Sequence, residues 1–206
     1  MTLEVPQQWA GVCELAFGER LAVAEVYAGL LAKEGIDWGL IGPREEERIW
    51  ERHIVNSLAV SEFIEAGCWI ADLGSGAGLP GIPLAIARPD LRIDLVEPML
   101  RRVEFLELCV ERLDLASRVR IVRARAEDYA AGISVLTCRA LSPVKKLVVQ
   151  VEHLVSRVQL LALKGSRAEL EIEQARDVLQ SLHLKATVSE SEILGQRIGS
   201  VVRISR

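Results

Sequence analysis

The chain has 206 residues, of which 50% are hydrophobic and 26% charged, with a formal net charge of −4. This composition excludes a disordered chain and is sufficient for one sizeable core, alone or with a small appendage. An acidic chain is a poor general binder of nucleic acid, so any RNA contact has to come from local basic clusters.

The opening run MTLEVPQQWAGVCEL has neither the basic start nor the long apolar stretch of a signal peptide. No uncharged apolar run reaches the length of a membrane span. Cys13, Cys68, Cys109 and Cys138 are far apart with no C-x-x-C pair, which suits a reduced cytoplasmic protein and argues against a zinc cluster. A cytoplasmic chain without membrane or metal partners is the expectation.

Residues 4–65 carry helical patterning, broken by Gly35, Gly39, Gly42 and Pro43. Beyond the break, REEERIWERHIVNSLAVSEFI has acids in its first turn and sets Ile49, His53, Leu58 and Phe63 near a helical period. An N-terminal helical cap over residues 1–66 is expected, followed by one compact unit over 67–206. From Trp69 the texture changes. Strand-like runs (WIADLG, RIDLVEP, RVRIVRA, ISVLTCRA, LLALKG) alternate with amphipathic stretches, including a helix from about Pro80. That alternation predicts an α/β fold, a parallel sheet with helices on both faces. The end differs: KATVSESE and RIGSVVRISR have no helix between them, so they should form an antiparallel pair at the sheet edge.

Between the first strand and its helix lies IADLGSGAGLPGIPLAI, Ile70 to Ile86. Two templates fit it. Gly76 to Gly81 matches G-x-G-x-x-G, with Glu97 an acid downstream, the pattern of a dinucleotide site. Asp72 to Gly78 matches D-x-G-x-G-x-G, the pattern of S-adenosylmethionine enzymes. Asp72 is expected to face the ligand, where it would repel a pyrophosphate but suit a cationic ligand. The chain has no room for a full dehydrogenase substrate domain. These points favour S-adenosylmethionine, with Asp72, Gly74, Gly76 and Gly78 around it. Glu97 follows the second strand and can accept two hydrogen bonds from a ribose diol. After the third strand, Ala126-Glu127-Asp128 offers a backbone N–H and an acid near an adenine, or the cap of a short helix.

DLGSGAGLPGIPLAI, HIVNSL, AED, CRALSPV and LALKG together resemble the glucose-inhibited division protein B family, bacterial small-subunit rRNA guanine-N7 methyltransferases. The resemblance covers about Trp38 to Gly165, and GLPGIPLA is its most specific part. It implies a class I, Rossmann-like methyltransferase fold: a mostly parallel seven-stranded sheet with a C-terminal antiparallel hairpin and an N-terminal helical extension. It also implies S-adenosylmethionine as cofactor and N7 of one guanine of 16S rRNA, nucleotide 527, as acceptor. By motif match the family's cofactor contacts fall on Gly74, Leu79, Ala126, Glu127 and Arg139. Two stretches depart from the family pattern. The family often has Asn after the tryptophan and Asn-Leu-Thr beyond it, where this chain reads Trp38-Gly39-Leu40-Ile41-Gly42; its His-x-x-Asp-Ser is here His53-Ile54-Val55-Asn56-Ser57. Both bear on the substrate side of the helical cap.

Guanine N7 carries its lone pair in the ring plane, so in-line transfer needs alignment and no general base. An exocyclic-amine methyltransferase would show Asn/Asp-Pro-Pro-aromatic where this chain has CRALSPV. Cys138 lacks the Pro-Cys context of a cytosine-C5 nucleophile and reads as packing. Arg139 ends the fourth strand as a single charge among apolar residues, able to hold the cofactor, donate to guanine O6 or contact a phosphate. His53 reads as a hydrogen-bonded core histidine or a wall of the cofactor pocket. The RNA-binding candidates are Arg101, Arg102, Lys145, Lys146 and Lys164, the last with Arg167; Arg118, Arg120, Arg123 and Arg125 are dense but suit solvated strand ends. The expected partner is 16S rRNA within a 30S subunit or an assembly intermediate, with the chain as a monomer. The alternatives are methylation of another RNA base, a small molecule or a protein, and a non-enzymatic nucleotide-binding regulator.

Overall fold

The computed structural model describes residues 2–206. Its strands are β1 (Trp69–Leu73), β2 (Arg92–Val96), β3 (Val119–Val122), β4 (Val135–Arg139), β5 (Gln159–Lys164), β6 (Lys185–Ile193) and β7 (Gln196–Ser205). They form one sheet in the order β3-β2-β1-β4-β5-β7-β6. β1 to β5 pair in parallel, and β7 runs antiparallel to both β5 and β6. The sheet is thus mostly parallel and ends in the antiparallel hairpin that the last two runs predict.

Alternation along each strand divides the core into two layers. Ile70, Ile93, Leu95, Leu161, Leu163 and Val201 pack on one face. Ala71, Leu73, Val96, Leu160, Ala162, Val202 and Ile204 pack on the other. The first face is covered by α3 (Gly81–Ala87), α4 (Leu100–Arg112) and the N-terminal helices, in one continuous core. The second is covered by α5 (Val144–Gln150), α6 (Glu152–Val155), α7 (Ala168–Gln174) and α8 (Arg176–Ser181).

β7 lies inside the hairpin and β6 at the edge because only β7 is apolar on both sides. Val201 and Val202 are both fully buried, whereas much of β6 is half exposed. The connecting Leu194-Gly195 turn takes positive φ at both residues, 52° and 74°, the twist that suits a two-residue hairpin.

The N-terminal segment contains α1 (Ala10–Phe17) and α2 (Leu21–Leu30), the latter continuing through a π turn at Leu31–Gly35. After the glycine-rich break the expected helix is not a regular one. It runs as a 3₁₀ turn at Pro43–Arg48, a π turn at Ile49–Val55 and a 3₁₀ turn at Leu58–Phe63. The wide turn lets Ile49, Trp50, His53, Ile54 and Val55 all be buried, more than one face of an α-helix would carry.

Candidate active site

Strand order reverses between β1 and β4, whose ends pair at Leu73 and Cys138. Ligands bind beyond the carboxyl ends of the strands at such a switch point. Here Gly74 leaves β1 beside Arg139 and Leu141. Gly74 and Gly76 take φ of 67° and 58°, the left-handed region in which glycine is least strained. A Cβ on Gly74 would stand 2.5 Å from Leu141 Cδ1, while one on Gly76 would meet nothing nearer than the Gly74 carbonyl at 3.8 Å. Gly76 therefore faces open space, a cavity of about 460 Å³ that Gly74, Ala77, Leu79, Glu97 and Arg139 also line.

Glu97 closes one side of this cavity and is fully buried. Oε2 accepts from the Gly76 N–H and Oε1 from the Met99 N–H, each at 3.0 Å. Each oxygen retains a lone pair for a further donor. Arg102, half exposed, stands 3.6 Å from Oε2 and also lines the cavity, so its nearest partner is Glu97.

Asp72 is elsewhere. Its side chain is fully buried beneath the turn leading into α3, where Oδ2 accepts from the Gly81 N–H at 3.1 Å and Oδ1 has no partner. The expectation that it faces the ligand is corrected: Leu79-Pro80-Gly81 folds back over the strand end and covers the carboxyl. Gly81 is glycine because a Cβ there would lie 2.3 Å from Leu95 Cδ2 and 2.9 Å from Asp72 Oδ2. Burial raises the Asp72 carboxyl to about 7 against the pull of its hydrogen bond from Gly81 and of the nearby Ser75 hydroxyl, which itself donates to the Asp72 backbone carbonyl at 2.8 Å. Gly78 is not in the cavity wall either, since its Cβ position is filled by Ile82 and by the Tyr27 hydroxyl. Ala126 and Glu127 sit on the short turn Ala126–Asp128 after β3, Ala126 buried and Glu127 exposed, outside the wall of this cavity.

Arg139 stands between this cavity and a second, of about 800 Å³, and lines both together with Arg52, His53, Ala140 and Leu141. One guanidinium nitrogen donates to the Arg52 carbonyl at 2.6 Å and the other to His53 Nδ1 at 2.7 Å. A guanidinium only donates, so Nδ1 is the acceptor and the imidazole proton sits on Nε2, 3.3 Å from Glu45 Oε2. Burial first, and then the Arg139 charge, lower the imidazole pKa to about 3, so His53 is neutral at working pH.

The basic candidates divide. Lys145 and Lys146 at the start of α5 and Arg101 on α4 are exposed. Lys164 is not free: its ammonium donates to the Ser142 carbonyl at 2.6 Å and to Glu171 at 2.8 Å, and the side chain is 9% exposed. The expectation that it meets RNA phosphate is corrected to a buried cation in the wall of the second cavity. Arg120 is held by Asp94. Cys138 is buried and its thiol is pushed up to about 12 by burial, the state of an inert packing residue. Among the described residues no cluster of His, Cys, Asp or Glu could hold a metal ion, and no helix is long and apolar enough to cross a membrane.

Sequence reasoning passed over Tyr27, Glu45 and Arg52. Tyr27 is a single phenol in the largely apolar helix α2, whose one charged residue is Glu25, and a buried hydroxyl needs a partner; here it donates to the Ala77 carbonyl at 2.7 Å. Glu45 and Arg52 lie in a charge run and carry no such signal. Asn56, flagged as a departure, is a structural joint: Nδ2 donates to the Ile198 carbonyl at 2.9 Å. A Cβ on Gly199 would come within 2.5 Å of that nitrogen.

Residues 20–197 match the family described as rRNA small subunit methyltransferase G. A ribosomal RNA small subunit methyltransferase G of Mycolicibacterium smegmatis is 51% identical over 174 residues, 82% of this chain and 73% of that protein. One from Thermobifida fusca is 52% identical over 166 residues, 79% of this chain and 70% of that protein. Among solved structures, magnesium protoporphyrin IX methyltransferase from Synechocystis, with S-adenosylmethionine bound, aligns at a TM-score of 0.58 and 15% identity over 89% of this chain and 97% of its own. A SAM-dependent methyltransferase from Aquifex aeolicus aligns at 0.55 and 15% over 77% and 93%. These two share the fold with this chain. With a switch-point cavity on a methyltransferase fold and relatives that match over most of its length, this chain belongs to the rRNA small subunit methyltransferase G family.

Proposed function

We propose that this protein methylates N7 of a guanine in 16S rRNA, with S-adenosylmethionine held in the first cavity and the guanine entering through the second. The observation that carries the reading is that two cavities meet at one half-buried arginine, Arg139, at the sheet's switch point. When bound, the cofactor supplies a methyl group on a cationic sulfur. The first cavity fits such a ligand: Gly76 presents backbone without a side chain, and Glu97 offers a buried, anchored carboxylate with lone pairs for a pair of hydroxyls. Leu79 supplies apolar wall.

The chain's own residues orient and exclude water. Arg139 is fixed at both of its terminal nitrogens and sets the boundary at which the two ligands face each other. His53 is neutral, but Nδ1 is occupied by Arg139, so it is not a free base. That suits an acceptor whose lone pair is already available and whose reaction depends on alignment. Of the cations that line the second cavity, Arg52, Lys164 and Arg197 are each paired with a carboxylate, on Glu45, Glu171 and Glu190, which leaves Arg139 and the exposed Lys145 and Lys146, just after the lining residue Pro143, to meet phosphate. So few free cations, in a chain of net charge −4, favour an RNA that an assembled or partly assembled subunit presents in one geometry.

The test is transfer of labelled methyl to small subunits from a strain lacking this protein, followed by identification of the product nucleoside and its position. Label in 7-methylguanosine at nucleotide 527 is the expected result. Label in another nucleoside, or none in the RNA, overturns the reading in favour of another acceptor.

A further inference from the structure

We propose that Tyr27 is a positioning residue for the glycine loop: its hydroxyl fixes the Ala77–Gly78 peptide and so preforms the wall of the first cavity, making the N-terminal helices part of cofactor binding. This rests on the reading of that cavity as the S-adenosylmethionine site.

Gly74, Gly76 and Gly78 fall within five residues, all at positive φ. A segment so rich in glycine has many backbone states, and a ligand that had to select one of them would lose affinity. The loop has three sets of backbone restraints, the first being the Gly74 and Ser75 N–H groups, which donate to the Val96 carbonyl at 2.8 and 3.1 Å. The Gly78 and Leu79 N–H groups both donate to the Ser75 carbonyl, at 2.7 and 3.0 Å, and the Gly76 N–H donates to Glu97. The Gly78 bond holds the N–H edge of the Ala77–Gly78 peptide, and none of the three sets takes the Ala77 carbonyl at the other edge. That group takes its hydrogen bond from Tyr27, fifty residues earlier in the chain, at 2.7 Å. The phenol is fully buried, and its oxygen lies 3.2 Å from the point where a Gly78 side chain would begin.

The loop is therefore packed directly against the hydroxyl. The ring body fills the core between α2 and α3, and the tip reaches the loop. Removing the tip alone leaves a buried carbonyl without its donor, in a peptide whose one glycine neighbour is Gly78 and whose other edge is held only by the Gly78 N–H bond to Ser75. Rotation of that peptide to seek water moves Ala77, which lines the cavity.

The experiment is Tyr27→Phe, which keeps the ring. Titration calorimetry should show S-adenosylmethionine binding weakened about tenfold, on the scale of one lost buried hydrogen bond. KM for the cofactor should rise by the same factor, with KM for small subunits and kcat at saturating cofactor unchanged. A purely structural role would lower the melting temperature and leave cofactor affinity at the wild-type value, and that result overturns the proposal. A second measurement leaves Tyr27 in place. The chain has two tyrosines, and Tyr129 is bonded to Asp94 away from the cavity. In 3-fluorotyrosine-labelled protein, with the signals assigned by Tyr129→Phe, the Tyr27 resonance should shift on adding S-adenosylmethionine while the Tyr129 resonance stays. A Tyr27 signal indifferent to the cofactor overturns the proposal even if Tyr27→Phe does not fold. Failure of the wild-type chain to bind S-adenosylmethionine at all would overturn the cofactor reading itself, and the wild-type titration shows that separately.

Discussion

Arg139 donates to Nδ1 of His53 at 2.7 Å, so the last residue of β4 is tied to the π turn of the N-terminal segment. The same guanidinium grips the Arg52 carbonyl. One side chain thereby fixes the boundary between the two cavities and joins the helical layer to the sheet's carboxyl edge.

Removing that side chain should therefore cost rate more than stability. Arg139→Ala is expected to slow single-turnover methyl transfer to saturating subunits by about 100-fold, the scale of a small misplacement of reacting groups. Arg139→Lys should recover little, since a single ammonium cannot serve both acceptors with a fork's geometry. Transfer at the wild-type rate in Arg139→Ala would remove Arg139 from the site.

His53 should make stability depend on acid. Its folded pKa, about 3, lies below the ordinary 6.5, so between those values the unfolded chain binds a proton that the folded chain refuses. The contribution is fully present above pH 6.5 and is lost as pH falls toward 3, at about 1.4 kcal/mol per pH unit. Urea unfolding of wild type and His53→Gln across this range should show the variant losing less. Parallel curves would mean that His53 is protonated in the fold.

Asp72 should act with the opposite sign. Its folded pKa is raised from 3.8 to about 7, so its contribution is present below pH 3.8 and is lost as pH rises through 7. The stability of Asp72→Asn relative to wild type should therefore rise from pH 4 to pH 7 and then level off. The absolute offset depends on whether the amide finds an acceptor for its N–H groups, but the slope does not. A difference that stays flat with pH would mean that Asp72 is ionised throughout.

Cys138→Ser should keep most of the activity. The thiol is buried, its pKa is pushed up to about 12, and attack on a base ring needs a thiolate. A folded variant with normal cofactor affinity but no transfer, or a covalent RNA adduct in wild type, would restore the nucleophile reading.

Much of the fold follows from local pattern. The alternation of β-branched runs with amphipathic stretches locates β1 to β5, and the missing last helix locates the hairpin. The glycine spacing locates the loop, and the position of Glu97 after β2 puts an acid at the strand end beside it; that Glu97 also accepts from the Gly76 N–H is seen only in the fold. Asp72 departs from the expectation because strand-end position says where a side chain starts, not whether a later turn covers it; here Gly81 packs directly on the carboxyl. Lys164 departs for a similar reason. A lysine after an apolar strand reads as a surface charge, and its partner Glu171 comes from the next helix. The link from Tyr27 to Ala77 spans fifty residues, and no local pattern encodes it. Long-range polar contacts set the site, and they were the part that patterning could not supply.

The two lysines at the head of α5 should separate substrate binding from cofactor binding. Lys145 and Lys146 are exposed and follow Pro143, which lines the second cavity. Neither has an ion-pair partner among the described residues, so both charges are available to a phosphate. Lys145→Ala combined with Lys146→Ala should raise KM for small subunits and leave S-adenosylmethionine affinity unchanged. Each lost phosphate contact should also flatten the dependence of log affinity on log salt, by roughly one unit of slope per contact. Measuring subunit binding across a salt series for wild type and the double variant checks both effects. Equal slopes would place the RNA on a different face, with Arg101 on α4 as the next basic residue to test.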